Sequence, residues 1–175
     1  MGFRFQAVLV ALLVLSLSAA ALAAGSSITI NPVGFAFGIF NGQYEQALDE
    51  RSSLVAGASF LGLNSGYWKI SAFGVNGGQR TYLNGTAPEG FFLEGKGGVA
   101  FVSATYDDGL SSSSGSGTTF SGTATAGYKW IGDGGFTTEV AAGASATFGS
   151  VRAGSETAPV AGFSPVLAVS LGYSW

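Results

Sequence analysis

The chain has 175 residues, enough for one domain, and its seven basic residues against ten acidic ones exclude a nucleic-acid-binding protein, which would need a basic face. Histidine and cysteine are both absent, so the sequence lacks the commonest general base, the commonest ligand of borderline metals and any disulfide. We therefore expect no enzymatic activity, no cofactor and no metal site.

The first predicted element is a secretion signal at residues 1–23, which is removed by cleavage. A positive charge at Arg4 precedes an apolar stretch at about residues 7–17, and an A-L-A sequence ends the segment as a cleavage site does. The alternative is an uncleaved anchor, because the segment reaches the roughly 20 residues that a membrane-spanning helix needs. The short apolar core and the internal serines favour a signal, which leaves residues 24–175 as the mature domain.

The rest of the chain has the alternation of apolar and polar residues that is typical of β-strands. We predict seven strands, at about residues 35–48, 53–63, 67–83, 90–106, 119–131, 136–148 and 165–175. The segment SSITINPVG at residues 26–34 is the candidate for an eighth strand, with its NPVG part as a turn or kink.

The connections between these strands fall into two kinds. Two are long and polar, DDGLSSSSGSGT at residues 107–118 and GSVRAGSETAPVAGFS at residues 149–164, and we expect flexible loops there. Most of the others are tight turns. Long loops alternating with short turns are typical of an antiparallel up-and-down β-barrel in an outer membrane, and such single-chain barrels have an even number of strands. The sequence therefore predicts an all-β transmembrane barrel, most readily with eight strands.

Each predicted strand has one face without charge, as Phe91, Leu93, Val99 and Phe101 illustrate. The opposite faces consist of glycine, serine and threonine with isolated charges, which is too weakly hydrophilic for the surface of a soluble protein. We infer that the apolar faces point to lipid and the polar faces to a narrow lumen.

The polar faces place six charged residues in the lumen. They are Glu45, Arg80, Glu94, Lys96, Lys129 and Glu139. Three acids and three bases favour a salt-bridged plug over an open pore, because buried charges persist when they are paired; a chance balance is the alternative. Lys129 and Glu139 are expected to pair directly, since a short GDGG turn joins their strands.

Aromatic residues near strand ends are placed as membrane-interface girdles would be, with ordinary core packing as the alternative. They are Tyr44, Trp68, Tyr82, Tyr106, Tyr128 and Trp130.

The chain closes on SPVLAVSLGYSW, in which apolar residues alternate up to a terminal aromatic. The alternating positions are Leu167, Val169, Leu171, Tyr173 and Trp175. This pattern resembles the carboxy-terminal assembly signal of bacterial outer-membrane proteins, which usually ends in Phe. The resemblance implies recognition by the barrel-assembly machinery through strand pairing.

A broader resemblance covers most of the mature chain. The segments NPVGFAFGIFNGQYEQAL, GQRTYL, PEGFFLEG, TAGYKW and LGYSW resemble the small outer-membrane barrels of an uncharacterised domain family, similar in style to OmpA/OmpX-type and OmpW-type barrels. This resemblance implies architecture and an outer-membrane location, but it implies no activity. We expect outer-membrane lipid as the partner and a monomer as the oligomeric state.

Three functions remain open at this point. The leading hypothesis is a non-enzymatic outer-membrane barrel with a structural or surface-interaction role and a plugged lumen. The second is a narrow transport or small-ligand-binding barrel. The third is a soluble secreted barrel of lipocalin type, which the uncharged outer stripe and the terminal aromatic disfavour.

Overall fold

Eight antiparallel strands form a closed barrel in the computed structural model, which describes residues 25–107, 111–153 and 156–175. The strands are β1 (Ser26–Ile30), β2 (Ile39–Ala47), β3 (Ser52–Ser65), β4 (Trp68–Asn84), β5 (Gly90–Asp107), β6 (Ser112–Ile131), β7 (Phe136–Ala153) and β8 (Glu156–Ser174). Each strand pairs with its neighbours in sequence, and β8 pairs with β1. The prediction of an eight-stranded up-and-down barrel is confirmed, while the predicted signal at residues 1–23 lies outside the described residues.

The predicted eighth strand is β1, and it is short. After Ile30 the chain forms one helical turn, α1 (Pro32–Phe35). Asn31 caps this turn, since its side-chain oxygen accepts hydrogen bonds from the backbone of Val33 and Gly34 at 3.0 and 3.2 Å. The prediction that a strand begins at residue 35 was therefore wrong: β2 begins at Ile39. Within the described ranges, no helix has the length and apolar character to cross a membrane.

The two long polar connections are mostly strand, which corrects the prediction of flexible loops. β5 continues to Asp107 and β6 begins at Ser112, while β7 continues to Ala153 and β8 begins at Glu156. Serine, threonine and glycine in these segments still pair their backbones across the ladder, as Ser113 does with Tyr106. Strand pairing depends on backbone hydrogen bonds, so it extends beyond the apolar part of each strand.

Side-chain exposure alternates along the strands as predicted. Phe91, Leu93 and Phe101 of β5 are exposed on the exterior, whereas Phe92 and Glu94 are buried in the lumen. The exterior carries many further exposed apolar side chains, including Phe60, Phe73, Phe120, Phe148, Phe163 and Leu167. An apolar exterior around a partly polar interior is the arrangement of a membrane barrel and the reverse of a soluble one.

The start of β1 and the finish of β8 lie at the same side of the barrel, which is called the terminal end below. The turns between β2 and β3, β4 and β5, and β6 and β7 lie there too. The other end is called the opposite end.

The predicted aromatic girdles are only partly reproduced. Tyr128 and Trp130 have ring centroids 4.5 Å apart on the exterior near the terminal end, and Tyr128 also contacts Phe91. Tyr82 is the clear error, because it is buried inside the barrel. It has the same strand parity as Arg80, which points into the lumen, and that parity outweighs its position near a strand end.

Two other predicted girdle residues, Trp68 and Tyr106, are cross-strand partners at the opposite end, with centroids 4.9 Å apart. Trp68 shares the parity of Arg80 on β4, and Tyr106 shares the parity of Glu94 on β5. They therefore form part of the opposite rim rather than of an outward girdle. Tyr44 lies on the outward parity of β2, where its hydroxyl donates to Gln46 at 2.7 Å.

Candidate functional site: the charge cluster in the lumen

The structure brings all six predicted lumen charges into one connected set of contacts, called the charge cluster below. It consists of Glu45, Arg80, Glu94, Lys96, Lys129 and Glu139. Five of the six lie near the terminal end of the barrel. Lys96 is the next lumen-facing residue after Glu94 on β5. The cluster carries three positive and three negative charges, so its members neutralise one another.

Arg80 is the centre of the cluster, and it is 1% exposed. Its guanidinium donates to Glu139 through Nη1 at 2.7 Å and Nη2 at 3.0 Å. It also donates to Glu94 from Nε at 3.1 Å and Nη2 at 2.7 Å, and to Glu45 from Nη1 at 2.9 Å. A guanidinium has five N–H donors, so all five are used. This saturation explains why a buried arginine is tolerated at this position.

Strand register sets up these contacts. Arg80 on β4 is the direct cross-strand partner of Glu94 on β5. Glu45 and Glu139 come from β2 and β7, which are not neighbours of β4, so they reach Arg80 across the lumen. The closed sheet brings together residues that are far apart in the sequence.

Lys129 occupies one side of the cluster and is completely buried. Its ammonium donates to Glu45 at 2.6 Å and to the hydroxyl of Ser27 on β1. The predicted register is correct, since Lys129 and Glu139 are Cα partners. The predicted ion pair between them was wrong, because both carboxylate oxygens of Glu139 bind Arg80. A bidentate arginine–carboxylate contact is stronger than a single contact with lysine.

Lys96 lies at the other side of the cluster and is its most accessible cation, with 20% of its side chain exposed. Its Nζ donates to Glu94 at 2.6 Å and to the side-chain oxygen of Gln43 at 2.8 Å. The side-chain nitrogen of Gln43 in turn lies 3.3 Å from Glu94. Gln43 thus extends the cluster on β2.

Sequence reasoning missed two aromatic members of this site. The hydroxyl of Tyr82 lies 2.7 Å from Glu45 Oε1, and the Phe92 ring stacks on Arg80, with its centroid 3.7 Å from Cζ. Tyr82 and Phe92 also pack against each other with centroids 5.9 Å apart. Both have the parity of the charged lumen residue two positions away, so strand alternation could have identified them.

The lumen is filled unequally along its length. The charge cluster, Tyr82 and Phe92 pack together in it near the terminal end. Beyond them lies a cavity of about 650 Å³, whose lining includes Gln43, Asn76, Lys96 and Thr123. Within the described ranges, no group of three His, Cys, Asp or Glu residues is placed to hold a metal ion.

Four of the five predicted assembly-signal residues lie on β8, and Trp175 follows it directly. Leu167, Leu171, Tyr173 and Trp175 are exposed on the exterior. Leu171 and Tyr173 pair with Ile30 and Ile28 of β1. The segment therefore forms the strand that closes the barrel, and its recognition by assembly machinery stays a prediction.

Comparison with known proteins supports the fold. The barrel is similar to the crystal structure of Ail, the attachment invasion locus protein of Yersinia pestis, with a TM-score of 0.53 and 15% sequence identity. The similarity covers 86% of this chain and 99% of that chain. No family model matches the sequence, and no curated protein matches it. At this identity the similarity shows the architecture, and the resemblance to an uncharacterised domain family stays a prediction.

Proposed function

We propose that this chain is a non-enzymatic outer-membrane barrel that has a surface-interaction role and a lumen plugged at its terminal end. The observation that carries this proposal is the combination of an exposed apolar exterior with a buried, internally neutralised charge cluster. Lipid can solvate such an exterior, whereas water would disfavour it. The similarity to Ail supports the same location through its fold.

The plug follows from packing at the cluster. Arg80, Lys129, Tyr82 and Phe92 are at most 1% exposed, so the described side chains leave no room for water around them. An ion crossing the barrel would have to displace charge-assisted hydrogen bonds inside a low-dielectric interior. We expect little or no ion conductance.

The opposite end supplies the surface for interaction. Tyr67 and Trp68 are 62% and 51% exposed, and both rings contact Tyr106. Exposed tyrosine and tryptophan are the residue types most enriched at protein interfaces. The name of Ail refers to attachment and invasion, and an attachment role at this rim is our proposal for the present chain.

Cell fractionation with gel migration of boiled and unboiled samples tests the location. We expect an outer-membrane band whose migration changes on heating, and a soluble product would contradict the proposal.

Planar-bilayer recording tests the plug, where steady single-channel conductance of the wild type would contradict it. For the surface role, cells displaying Trp68→Ala should attach less to a layer of other cells than cells displaying Trp130→Ala, the matched change at the other end.

A further inference from the structure

The barrel wall is incomplete beside β8. This strand pairs with β7 from residue 156 to residue 173, but with β1 only from Leu171 to Ser174. β1 ends at Ile30, where the chain turns into α1. Among the described residues, no strand pairs with the other edge of β8 at residues 156–170, and this stretch is called the seam below.

Backbone geometry shows what the seam offers to a partner. Trp175 and Ser26 exchange two backbone hydrogen bonds, so odd-numbered residues of β8 direct their backbone groups toward β1. Pro159 and Pro165 have this same parity, and proline has no N–H to donate. Two donors are therefore missing from the seam. Prolines at such positions protect a sheet edge from added strands, so a second copy or a peptide strand is a poor occupant.

The part of the seam nearest the terminal end lies at membrane depth. With strands tilted as in outer-membrane barrels, an apolar band of about 25 Å corresponds to roughly ten residues per strand. Counted from the aromatic rim at Tyr173 and Trp175, this band includes Phe163 and Leu167, which are 78% and 76% exposed. Unpaired backbone groups at this depth are tolerated where they line a water-filled or polar cavity.

The lumen cavity supplies that polar environment, because it reaches both sides of the seam. Its lining includes Val166, Leu167 and Ala168 of β8 on one side, and Ile30 and Asn41 on the other. Leu167 and Ile30 are also exposed on the exterior. The cavity therefore reaches the wall at the seam, where α1 lies near β8 and the side chains Leu167 and Ile30 are apolar.

Lys96 is the most exposed charged side chain of the cavity lining, which also includes Glu94 and Glu139. The side chains of Glu94 and Glu139 are 3% and 7% exposed, and their oxygens are bound by Arg80 and Lys96. Lys96 is 20% exposed, and its two hydrogen-bond acceptors leave one of three ammonium N–H groups for another partner. Asn76 Oδ1 is buried without a hydrogen-bond partner in the described part of the chain, so the wall also has an unused acceptor.

We propose that the seam is a lateral entrance through which a single-chain anionic amphiphile, such as a free fatty acid, places its head group near Lys96 while its chain stays in the bilayer. The exterior beside the seam has an apolar groove for that chain. The groove is about 360 Å³, and its lining includes Ile30, Phe35, Phe40, Phe60 and Phe73. A polar cavity that shares wall residues such as Ile30 and Asn41 with an apolar groove matches an amphiphile better than it matches a sugar or a peptide.

Carbon-13 NMR of palmitate enriched at its carboxyl carbon tests this proposal, using the mature barrel in lipid nanodiscs at alkaline pH. We expect a second, saturable carboxyl resonance that is not seen with empty nanodiscs. Lys96→Met should weaken binding about tenfold or more, because one charge-assisted hydrogen bond is lost. The matched control, Lys69→Met, removes a lysine from the exterior parity of β4 and should leave binding unchanged.

A second pair of variants tests the route and remains informative if Lys96→Met fails to fold. Val166→Trp adds bulk at the seam, and Val102→Trp adds the same bulk to the lumen wall of β5 away from it. Slower or weaker uptake in Val166→Trp alone supports lateral entry. Equal inhibition by both variants, equal binding of enriched methyl palmitate, or no saturable resonance would each overturn the proposal.

Discussion

The two halves of the lumen use the same strands and the same alternation, yet they are filled in different ways. Near the terminal end, all eight strands are paired, and Arg80, Lys129 and Tyr82 are buried among their partners. Toward the opposite end, β1 has ended, the described strands leave one edge of β8 unpaired, and a cavity replaces the packed side chains. Close packing inside this barrel therefore coincides with both long inward side chains and a fully paired wall.

The largest effect is expected from removing the centre of the packed half. Arg80→Met leaves three buried carboxylates without their shared cation, so it should lower the free energy of unfolding by about 3 to 5 kcal/mol or prevent assembly. Urea unfolding in lipid vesicles, followed by tryptophan fluorescence, measures this loss.

Arg152→Met is the matched control in the other half, because Arg152 is exposed near the opposite end of β7. Its effect should stay within about 0.5 kcal/mol. Similar losses in both variants would show that the two halves contribute equally, contrary to the comparison.

The second-largest effect on the free energy of unfolding tests which carboxylate stabilises the buried ammonium of Lys129. Because Lys129 binds Glu45 and Glu139 binds Arg80, the double change Lys129→Met with Glu45→Gln should show a coupling of about 1 to 3 kcal/mol. The coupling of Lys129→Met with Glu139→Gln should be smaller. Unfolding of the two double-mutant cycles measures both values, and a larger coupling with Glu139 would restore the ion pair expected from sequence.

A smaller loss is expected from Tyr82→Phe, which removes one buried hydroxyl from Glu45. The free energy of unfolding should fall by about 1 to 2 kcal/mol, because Glu45 loses one of its donors. Tyr67→Phe changes an exposed hydroxyl at the opposite end and should be nearly silent. Equal losses in the free energy of unfolding from both substitutions would show that the buried hydroxyl contributes no more than the exposed one.

Variants of Trp175 separate the contribution of its side chain to barrel assembly from the contribution of its backbone. Trp175 exchanges backbone hydrogen bonds with Ser26, and its ring stacks near Tyr173 at 6.2 Å. Deleting Trp175 should reduce the yield of assembled barrel most, Trp175→Ala should reduce it less, and Trp175→Phe should have little effect. Heat-modifiable gel migration measures the yield, and equal yields from wild type and the deletion would refute a role in assembly.

The smallest effect is expected outside the membrane, in the turn before β3. The hydroxyl of Ser52 and the backbone N–H of Arg51 bind Asp49 and lower the pKa of its carboxyl group. A lowered pKa in the folded state adds stability above the unfolded pKa, and this contribution is lost as pH falls through the folded value. Ser52→Ala should move the pKa of Asp49 upward, as carboxyl NMR would show. An unchanged pKa would contradict the assignment.

Local alternation in the sequence predicted much of this molecule. It determined the strands, the exterior set that includes Phe91 and Phe101, and the lumen set that includes Arg80 and Glu94, because successive side chains of a strand point to opposite faces. It did not predict the strand parts of the polar segments at residues 107–118 and 149–164, since backbone pairing needs no apolar side chain.

Only the tertiary structure determined which residues contact Arg80 in the charge cluster and where the seam lies. Strand tilt in a closed barrel brings Glu45 and Glu139 to the height of Arg80 across the lumen, and a pattern read one strand at a time contains no information about that height. The seam likewise depends on β1 ending at Ile30 while β8 continues, a mismatch in length between two strands that are distant in sequence and meet only when the barrel closes.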